Sequence, residues 1–244
     1  MPDLSGRVIV LAGGTGGLGS AAARLLAAEG ARVILGYHSD SGRAERLLAE
    51  CPGAALCQAD IRAADGRRKL LDSAAGLYGL VVLMGDPARG TDEETWRRSI
   101  EINFLAPVLL ARGAAERMRA ASTPGAIVLT ASMQAVHEFE NSAPYAAPKA
   151  GLIHAARVLA KEFGGTLDIR VNVVAPGVTT AGMAESSVRS GKYERFLKGG
   201  VIARYGRAED VARAIRFLLE PDSYVTGQVL TVDGGLTLRR DVQR

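Results

Sequence analysis

The stretch R-V-I-V-L-A-G-G-T-G-G-L-G-S-A-A-A-R-L-L-A-A-E-G, from Arg7 to Gly30, decides the fold. Residues 7–12 are apolar and rich in β-branched side chains, which predicts a buried strand. A glycine cluster follows, and residues 20–30 then have helical periodicity. Glycines let the backbone approach a pyrophosphate, and a helix N-terminus offers unpaired N–H groups to it. Glycine clusters also make plain turns, but this strand–loop–helix context predicts a nucleotide-binding turn.

The end of the second predicted strand, residues 31–36, would meet the adenosine ribose of a bound dinucleotide. An acidic residue there would bind the 2′-hydroxyl of NAD, but the sequence is Gly36-Tyr37-His38-Ser39. The missing carboxylate leaves room for a 2′-phosphate, so NADP(H) is favoured and NAD(H) remains possible. Asp40 is expected to cap the following helix. The candidate phosphate partners, which could equally be ordinary loop residues, are Thr15, His38, Ser39 and Arg43.

Apolar runs and helical patterns alternate along the rest of the chain. Further strands are predicted at residues 54–59, 80–84, 126–131, 168–174 and 225–235. Helices are predicted at residues 43–50, 64–76, 92–119, 145–163 and 208–219. This alternation predicts a single α/β domain over residues 1–244, a Rossmann-type doubly wound sheet of seven parallel strands with helices on both faces. The segment 178–203, rich in Gly and Ser, is predicted to be a substrate lid.

A catalytic group is predicted between Ser132 and Lys149. Tyr145 and Lys149 stand four residues apart, so on a helix they share one face. A nearby ammonium lowers the pKa of a phenol from its usual value of about 10. Such a phenol can exchange a proton with an alcohol or a carbonyl. Ser132 ends an apolar run and would present a hydroxyl beside the phenol. The spacing Y-x-x-x-K alone also occurs by chance in many helices.

The composition argues against several classes of protein. The formal net charge of +4 is mild and the basic residues are scattered, so no nucleic-acid partner is expected. No run of about 18 apolar residues occurs, so no membrane span is expected. Met1-Pro2-Asp3 lacks the basic start of a signal peptide. Cys51 and Cys57 match no metal motif and favour a reducing cytoplasm. No metal site is predicted.

Taken together, the motifs resemble those of the short-chain dehydrogenase/reductase family over nearly the whole chain. Gly13, Gly17 and Gly19 fit the pattern T-G-x-x-x-G-x-G, with alanine in place of the threonine. Asp60-Ile61 resembles the pair that holds the adenine, and Pro176-Gly177 resembles the turn that borders the nicotinamide. The C-terminal motifs R-Y-G-R-A-E-D-V-A and Y-V-T-G-Q-V-L-T-V-D-G-G resemble the 3-oxoacyl-carrier-protein reductase branch.

The resemblance implies an NAD(P)-dependent oxidoreductase. The favoured reaction moves a hydride between NADP(H) and a carbonyl or secondary alcohol, with a 3-oxoacyl-thioester-type or similar ketone as substrate. The alternatives are an NAD-dependent sugar, polyol or small-alcohol dehydrogenase and a non-catalytic nucleotide-binding sensor. The implied catalytic residues are Asn103, Ser132, Tyr145 and Lys149. The implied cofactor contacts are Gly13, Thr15, Gly16, Gly17, Leu18, Gly19, Tyr37, His38, Ser39, Asp60, Ile61, Gly85, Tyr145, Lys149, Pro176, Gly177, Val178 and Thr179.

The family also implies a role for each catalytic residue. Ser132 hydrogen-bonds the substrate oxygen, and Tyr145 gives that oxygen a proton in reduction or takes one in oxidation. Lys149 lowers the pKa of the tyrosine and holds the nicotinamide ribose. Asn103 anchors a water that connects the site to solvent, although a buried asparagine is also explained by a structural hydrogen bond to the backbone.

Three departures from the family pattern affect these expectations. The usual N-N-A-G after the fourth strand is L-M-G-D here, from Leu83 to Asp86, so altered support of the sheet is expected. Gly16 stands where many NADP-using members carry a basic residue, which weakens the NADP interpretation. The usual threonine after Pro176-Gly177 is Ala181, with Thr179 and Thr180 nearby.

Self-association is expected from two of the predicted helices. Residues 92–119 and 145–163 carry apolar side chains around more than one face, more than contact with one sheet requires. The family commonly pairs these helices across a two-fold axis, which makes a self-complementary interface. A homo-oligomer, a tetramer or a dimer, is therefore expected.

Overall fold

Strands and helices alternate along the computed structural model, which describes residues 4–239. Residues 1–3, on which the expectation about a signal peptide rests, and residues 240–244 lie outside this range. The strands are β1 Val8–Ala12, β2 Arg32–Tyr37, β3 Ala55–Gln58, β4 Leu77–Val82, β5 Gly125–Thr130, β6 Ile169–Pro176 and β7 Val229–Val232. The helices are α1 Gly17–Ala28, α2 Ser41–Ala49, α3 Ala64–Asp72, α4 Glu93–Ile100, α5 Ala106–Ala120, α6 Ala143–Phe163, α7 Glu185–Arg189, α8 Glu194–Lys198, α9 Ala208–Leu218 and α10 Leu236–Arg239.

All seven strands pair in parallel, in the order β3-β2-β1-β4-β5-β6-β7. The chain moves outward from β1 to β3 and then crosses back to place β4 on the other side of β1. Ligands of such sheets bind beyond the carboxyl ends of the strands at this reversal. The predicted doubly wound sheet of seven parallel strands is confirmed.

The central strands are buried on both faces, which explains their continuous apolar runs. Alternate residues of β1 enter opposite layers: Val8 and Val10 pack with α3, α5 and α6, whereas Ile9 and Leu11 pack with α1 and α9. Burial of both faces fixes the register, because a slip of one residue would exchange the two sets. The carboxyl ends of β1, β4, β5 and β6 are thereby held at one edge.

The predicted helix 92–119 is interrupted. The carboxylate of Asp92 accepts a hydrogen bond from the N–H of Thr95, 2.9 Å away, and α4 begins after this cap. A π-helical turn, Glu101–Leu105, then separates α4 from α5.

The expected cap at Asp40 is confirmed, because its side chain accepts from the N–H of Arg43 at 2.8 Å.

Several other predicted boundaries were wrong. Helix α6 begins at Ala143 and not at Tyr145, so Pro148 lies inside the helix and not in its first turn. Strand β4 spans Leu77–Val82 where residues 80–84 were expected, because it pairs with β1 from Leu77, opposite Val8, to Val82, opposite the last residue of β1. Strand β7 is confined to Val229–Val232 where residues 225–235 were expected.

Within residues 4–239, every helix is too short or too polar to cross a membrane. Cys51 and Cys57 are both buried free thiols.

Candidate active site

Two adjoining pockets open at the edge where the carboxyl ends of the strands meet. We call the one beside β2 and β3 the adenosine pocket and the one beside β5 and β6 the catalytic pocket. Met84, in the loop after β4, lines both of them. The pair has the layout that a dinucleotide requires, with one end beside β2 and the other beside the candidate catalytic residues.

The glycine loop makes close backbone approaches within the protein. Gly13 has φ +78°, and a Cβ there would lie 3.1 Å from the main-chain nitrogen of Met84. A Cβ on Gly19 would lie 2.4 Å from the carbonyl oxygen of Gly13, so only glycine lets α1 pack against the loop. Gly16 caps α1, whose first-turn N–H groups lack partners within the helix. The loop and the start of α1 thus fit a pyrophosphate.

The structure brings most of the predicted adenosine contacts together. The adenosine pocket is lined by Ala12, Gly13, Thr15, Gly36, Tyr37, His38, Ala59, Asp60, Ile61, Arg62, Leu70, Met84, Gly85 and Ile102. Ser39 and Arg43 are exposed and lie outside this lining.

Arg62 is an adenosine-pocket residue that the sequence analysis missed. Its guanidinium hydrogen-bonds both carboxylate oxygens of Asp60, with a closest distance of 2.6 Å. These bonds are the main reason that the pKa of Asp60 falls to about 2. His38 adds a weaker effect, with its Nδ1 3.9 Å from the same carboxylate. The negative charge of Asp60 at this pocket is therefore offset by the guanidinium of Arg62.

The catalytic pocket contains three of the four predicted catalytic side chains. Ser132 follows β5, and Tyr145 and Lys149 lie one turn apart on α6. Other predicted contacts in the lining are Leu18, Pro176, Gly177, Val178 and Thr179. The sequence analysis did not single out Arg89, Gln134, Met183, Lys192 or Tyr193, which also line it.

Ser132 and Tyr145 interact directly in the catalytic pocket. A hydrogen bond with the Ser132 side chain lowers the pKa of Tyr145, but burial raises it by more, so the pKa is raised overall. The hydroxyl of Ser132 also accepts the main-chain N–H of Gln134 at 3.2 Å. The serine oxygen and the phenol thus converge on one spot, as the sequence analysis expected.

Lys149 is almost completely enclosed, with 1% of its surface exposed. Its ammonium donates to the carbonyl oxygen of Thr130 at 2.8 Å and to that of Met84 at 3.4 Å. Burial lowers the pKa of Lys149 to about 7. This cation was expected to lower the pKa of Tyr145, whereas here the ammonium binds the two carbonyls and burial keeps the pKa of the phenol raised.

Asn103 lies in the π-helical turn and lines neither pocket. Its side-chain oxygen accepts the N–H of Asp86 at 2.9 Å, and its nitrogen donates to the carbonyl of Asp86 at 2.9 Å and to the hydroxyl of Ser99 at 2.8 Å. Asp86 also pairs with Arg98 at 2.9 Å. The asparagine thereby braces the loop after β4, in which L-M-G-D replaces the usual N-N-A-G.

The segment after β6 contacts both the glycine loop and the loop after β4. A Cβ on Gly17 would lie 2.5 Å from the nitrogen of Gly182, so this segment rests on the glycine loop. Met183 lies beside Gly85, and Ser186 accepts a hydrogen bond from Arg89 at 2.9 Å. Thr179, whose hydroxyl donates to the carbonyl of Ala181 at 3.1 Å, is buried at its start.

Comparison with known proteins places this arrangement in a family. A family model described as enoyl-(acyl carrier protein) reductase matches residues 12–237. The cis-4-hydroxycyclohexanecarboxylate dehydrogenase of Sinomonas cyclohexanicum is 36% identical over 95% of this chain and 96% of its own length. A 3-oxoacyl-[acyl-carrier-protein] reductase of Synechocystis is 31% identical over 98% of this chain and 100% of its own. A single-substitution variant of the actinorhodin polyketide ketoreductase, solved with NADPH, superposes with a TM-score of 0.87 at 26% identity over 97% of this chain and 99% of that one.

Proposed function

The chain belongs to the short-chain dehydrogenase/reductase family and is an NAD(P)-dependent oxidoreductase of carbonyl or alcohol groups, and from this premise we propose a specific reaction. The proposed reaction is NADP(H)-dependent reduction of a ketone, of the 3-oxoacyl-thioester type or similar, or the reverse oxidation of a secondary alcohol. The observation that carries the proposal is the contact between Ser132 and Tyr145 in a pocket that also holds Lys149.

Ser132 and Tyr145 act on the substrate oxygen. The serine hydroxyl donates a hydrogen bond to that oxygen and polarises the carbonyl. The phenol of Tyr145 donates its proton to the same oxygen in reduction and takes it back in oxidation. The raised pKa of Tyr145 keeps the phenol protonated and ready to act as an acid in the cofactor-free chain. The nicotinamide cofactor, when bound, supplies or accepts the hydride.

Lys149 and Asn103 support this pair. With a pKa near 7, Lys149 can exchange a proton at physiological pH, which lets it serve the phenol during turnover. Its ammonium also lies 3.6 Å from the position that a Cβ on Gly85 would occupy, beside the path proposed for the cofactor. Asn103 acts from outside the pocket by holding the loop after β4, and the water that we propose for it would bind at its main chain in the π-helical turn.

NADP(H) is the proposed cofactor, with NAD(H) as the alternative. Strand β2 ends at Tyr37 without a carboxylate that would accept a ribose 2′-hydroxyl or repel a 2′-phosphate. Among residues 4–239, Asp60 is the one carboxylate in the adenosine-pocket lining, and Arg62 offsets its charge. Thr15 and His38 line the same pocket and offer donors to a phosphate. The ketoreductase solved with NADPH supports the same choice.

Residues 178–203 form the proposed substrate lid, and the described chain forms one catalytic and dinucleotide-binding domain. The lid contacts the glycine loop at Gly17 and the loop after β4 at Arg89. A homo-oligomer, either a dimer or a tetramer, is the proposed assembly. Exposed apolar side chains on α4, α5 and α6 support it, namely Ile100, Leu109 and Val158. Light scattering at micromolar concentration tests the assembly, and a mass near the monomer value of 25.6 kDa would contradict it.

A panel of ketones and secondary alcohols, assayed with NADPH, NADH and their oxidised forms, tests the reaction. The panel includes 3-oxoacyl thioesters, cyclic ketones, polyols and simple alcohols. We expect a 3-oxoacyl thioester or similar ketone to give the highest kcat/KM, with NADPH preferred by a modest factor. The best kcat/KM with a polyol and NAD would favour the alternative dehydrogenase. Dinucleotide binding without turnover of any member would indicate the non-catalytic sensor.

A further inference from the structure

The charged side chains that line the catalytic pocket are all cationic. Besides the catalytic lysine, the lining includes Arg89 and Lys192, and within residues 4–239 no aspartate or glutamate lines it. Arg89 lies in the loop after β4, whereas Lys192 lies in the lid between α7 and α8. The two cations therefore enter the pocket from separate segments of the chain.

Both carboxylates of the lid segment, residues 178–203, pair with other cations. Glu185 lies 3.8 Å from Arg189, and Glu194 lies 3.0 Å from Lys198. Arg89 instead donates to the neutral hydroxyl of Ser186, and the ammonium of Lys192 lies 5.6 Å from the ring centroid of Tyr193. In the described part of the chain, neither cation has a carboxylate within 4.0 Å.

Lys192 is next in sequence to a residue that lies near the phenol of Tyr145. Tyr193 follows it directly and lies close enough to Tyr145 to influence the phenol electrostatically. A group bound by Lys192 would therefore lie in the same pocket as the phenol of Tyr145. Arg89 offers a planar fork that suits the oxygens of a carboxylate or a phosphate, whereas Lys192 offers a compact charge.

We propose that the substrate carries an anionic group, a carboxylate or a phosphate, at a distance from its carbonyl, and that Arg89 and Lys192 bind this group. The proposal rests on the proposed function, because it concerns the substrate of the same pocket. The cations select between carbonyl compounds of similar shape, whereas Ser132 and Tyr145 act on any carbonyl that reaches them.

Matched pairs of substrates test the proposal. One pair is 4-oxocyclohexanecarboxylate and its uncharged methyl ester. The other is acetoacetyl-coenzyme A, which carries phosphates, and the uncharged acetoacetyl-N-acetylcysteamine thioester. We expect the anionic member of at least one pair to have a kcat/KM at least about tenfold higher, since hydrogen bonds to charged groups contribute about 1.5–3 kcal/mol. A preference in the first pair identifies a carboxylate, and a preference in the second identifies a phosphate.

Variants assign the preference to the two cations. Arg89→Gln and Lys192→Gln should each lower kcat/KM for the anionic member by about tenfold, mainly through KM, and lower it by a smaller factor for the neutral member. Lys198→Gln is the control, because Lys198 lies on the same lid, is paired with Glu194 and lies outside the pocket lining. The control should leave the preference unchanged.

Two results would overturn the proposal while leaving the reaction intact. The first is equal kcat/KM for both members of each pair. The second is a loss in Arg89→Gln and Lys192→Gln that appears in the KM for the dinucleotide, because the cations would then bind the cofactor. Failure of every carbonyl compound in the panel, charged or neutral, would instead refute the proposed reaction and this inference with it.

Discussion

The hydroxyl of Ser99 donates a hydrogen bond to the main-chain carbonyl of Pro144, with 2.6 Å between the two oxygens. In an uninterrupted helix this carbonyl would accept the N–H of residue 148, but Pro148 has none. Ser99 therefore satisfies a buried acceptor of α6, and its oxygen accepts from Asn103 in turn, at 2.8 Å. A continuous set of hydrogen bonds thus joins the helix that carries Tyr145 to the loop after β4.

Replacement of Ser99 by alanine should destabilise the protein by about 1–3 kcal/mol, because the Pro144 carbonyl and one Asn103 N–H would both lose a buried partner. Urea unfolding measures the change. In a Pro148→Ala background the new N–H can serve the carbonyl, so the cost of Ser99→Ala should be smaller by at least about 0.5 kcal/mol. Equal costs in the two backgrounds would show that the proline does not explain the Ser99 contact.

The position of Pro148 shows why the sequence located this helix only approximately. A proline suits the first turn of a helix, which favoured a start near Tyr145. The structure begins the helix earlier, where the carbonyl of Ser142 accepts from the N–H groups of Tyr145 and Ala146. No side-chain cap marks this start, since the Ser142 hydroxyl donates to the carbonyl of Phe139. The hydroxyl that satisfies the carbonyl left free by the internal proline comes from α4. Because α4 is a separate helix, no local sequence pattern could reveal this contact.

Replacement of Tyr145 by phenylalanine should lower kcat for carbonyl reduction by a factor of about 10² to 10⁴, the usual contribution of a general acid. Only the proton-donating hydroxyl is lost, so the Kd for the dinucleotide should stay within about twofold, as measured by fluorescence titration. Tyr205→Phe is a matched control, because this tyrosine lies outside both pocket linings. Activity of Tyr145→Phe within about tenfold of the parent would exclude the proposed role.

The sequence was most informative where a residue type is required by geometry. Gly13 and Gly19 were predicted as members of a nucleotide-binding turn, and in the structure a Cβ at either position would meet the protein backbone. Arg62 and Arg89 were missed because scattered arginines usually belong to solvated surfaces. Their placement in the pockets depends on how separate loops fold together, which periodicity does not encode.

Replacement of Gly17 by alanine should loosen the lid, because the new Cβ would lie 2.5 Å from the nitrogen of Gly182. Limited trypsin digestion of the cofactor-free protein should therefore cleave faster within residues 178–203 of the variant. Gly16→Ala is the control, since its Cβ would meet its nearest neighbour at an ordinary 3.4 Å. If both variants are cleaved at the same rate as the parent, Gly17 does not support the lid.

Stability should depend on pH through Lys149. Its pKa is about 7 in the folded chain and about 10.4 when unfolded. Between these values the unfolded chain binds the extra proton, so the free energy of unfolding should rise with pH from about 7 to 9, by up to about 1.4 kcal/mol per pH unit from this group. Urea unfolding at each pH should show that Lys149→Met removes this contribution.

Lys161→Met is the control for that series, because Lys161 is exposed on the same helix. The control should keep the slope of the parent between pH 7 and 9. Parallel slopes for the parent and Lys149→Met would mean that the ammonium is not held at a depressed pKa by burial.

Replacement of Tyr37 by aspartate should shift the cofactor preference from NADPH towards NADH. Tyr37 is the last residue of β2 and lines the adenosine pocket, where a carboxylate would accept the ribose 2′-hydroxyl of NADH and repel the 2′-phosphate of NADPH. With one good ketone, kcat/KM for NADPH should fall at least about tenfold relative to that for NADH, as expected for an unfavourable contact of about 1.4 kcal/mol or more.

Arg43→Ala is the control for this prediction, because Arg43 lies outside the pocket lining. It should leave the ratio of the two kcat/KM values unchanged, even though its sequence position suggested a phosphate contact. A parent enzyme that already prefers NADH, or an unchanged ratio in Tyr37→Asp, would show that the end of β2 does not select the cofactor.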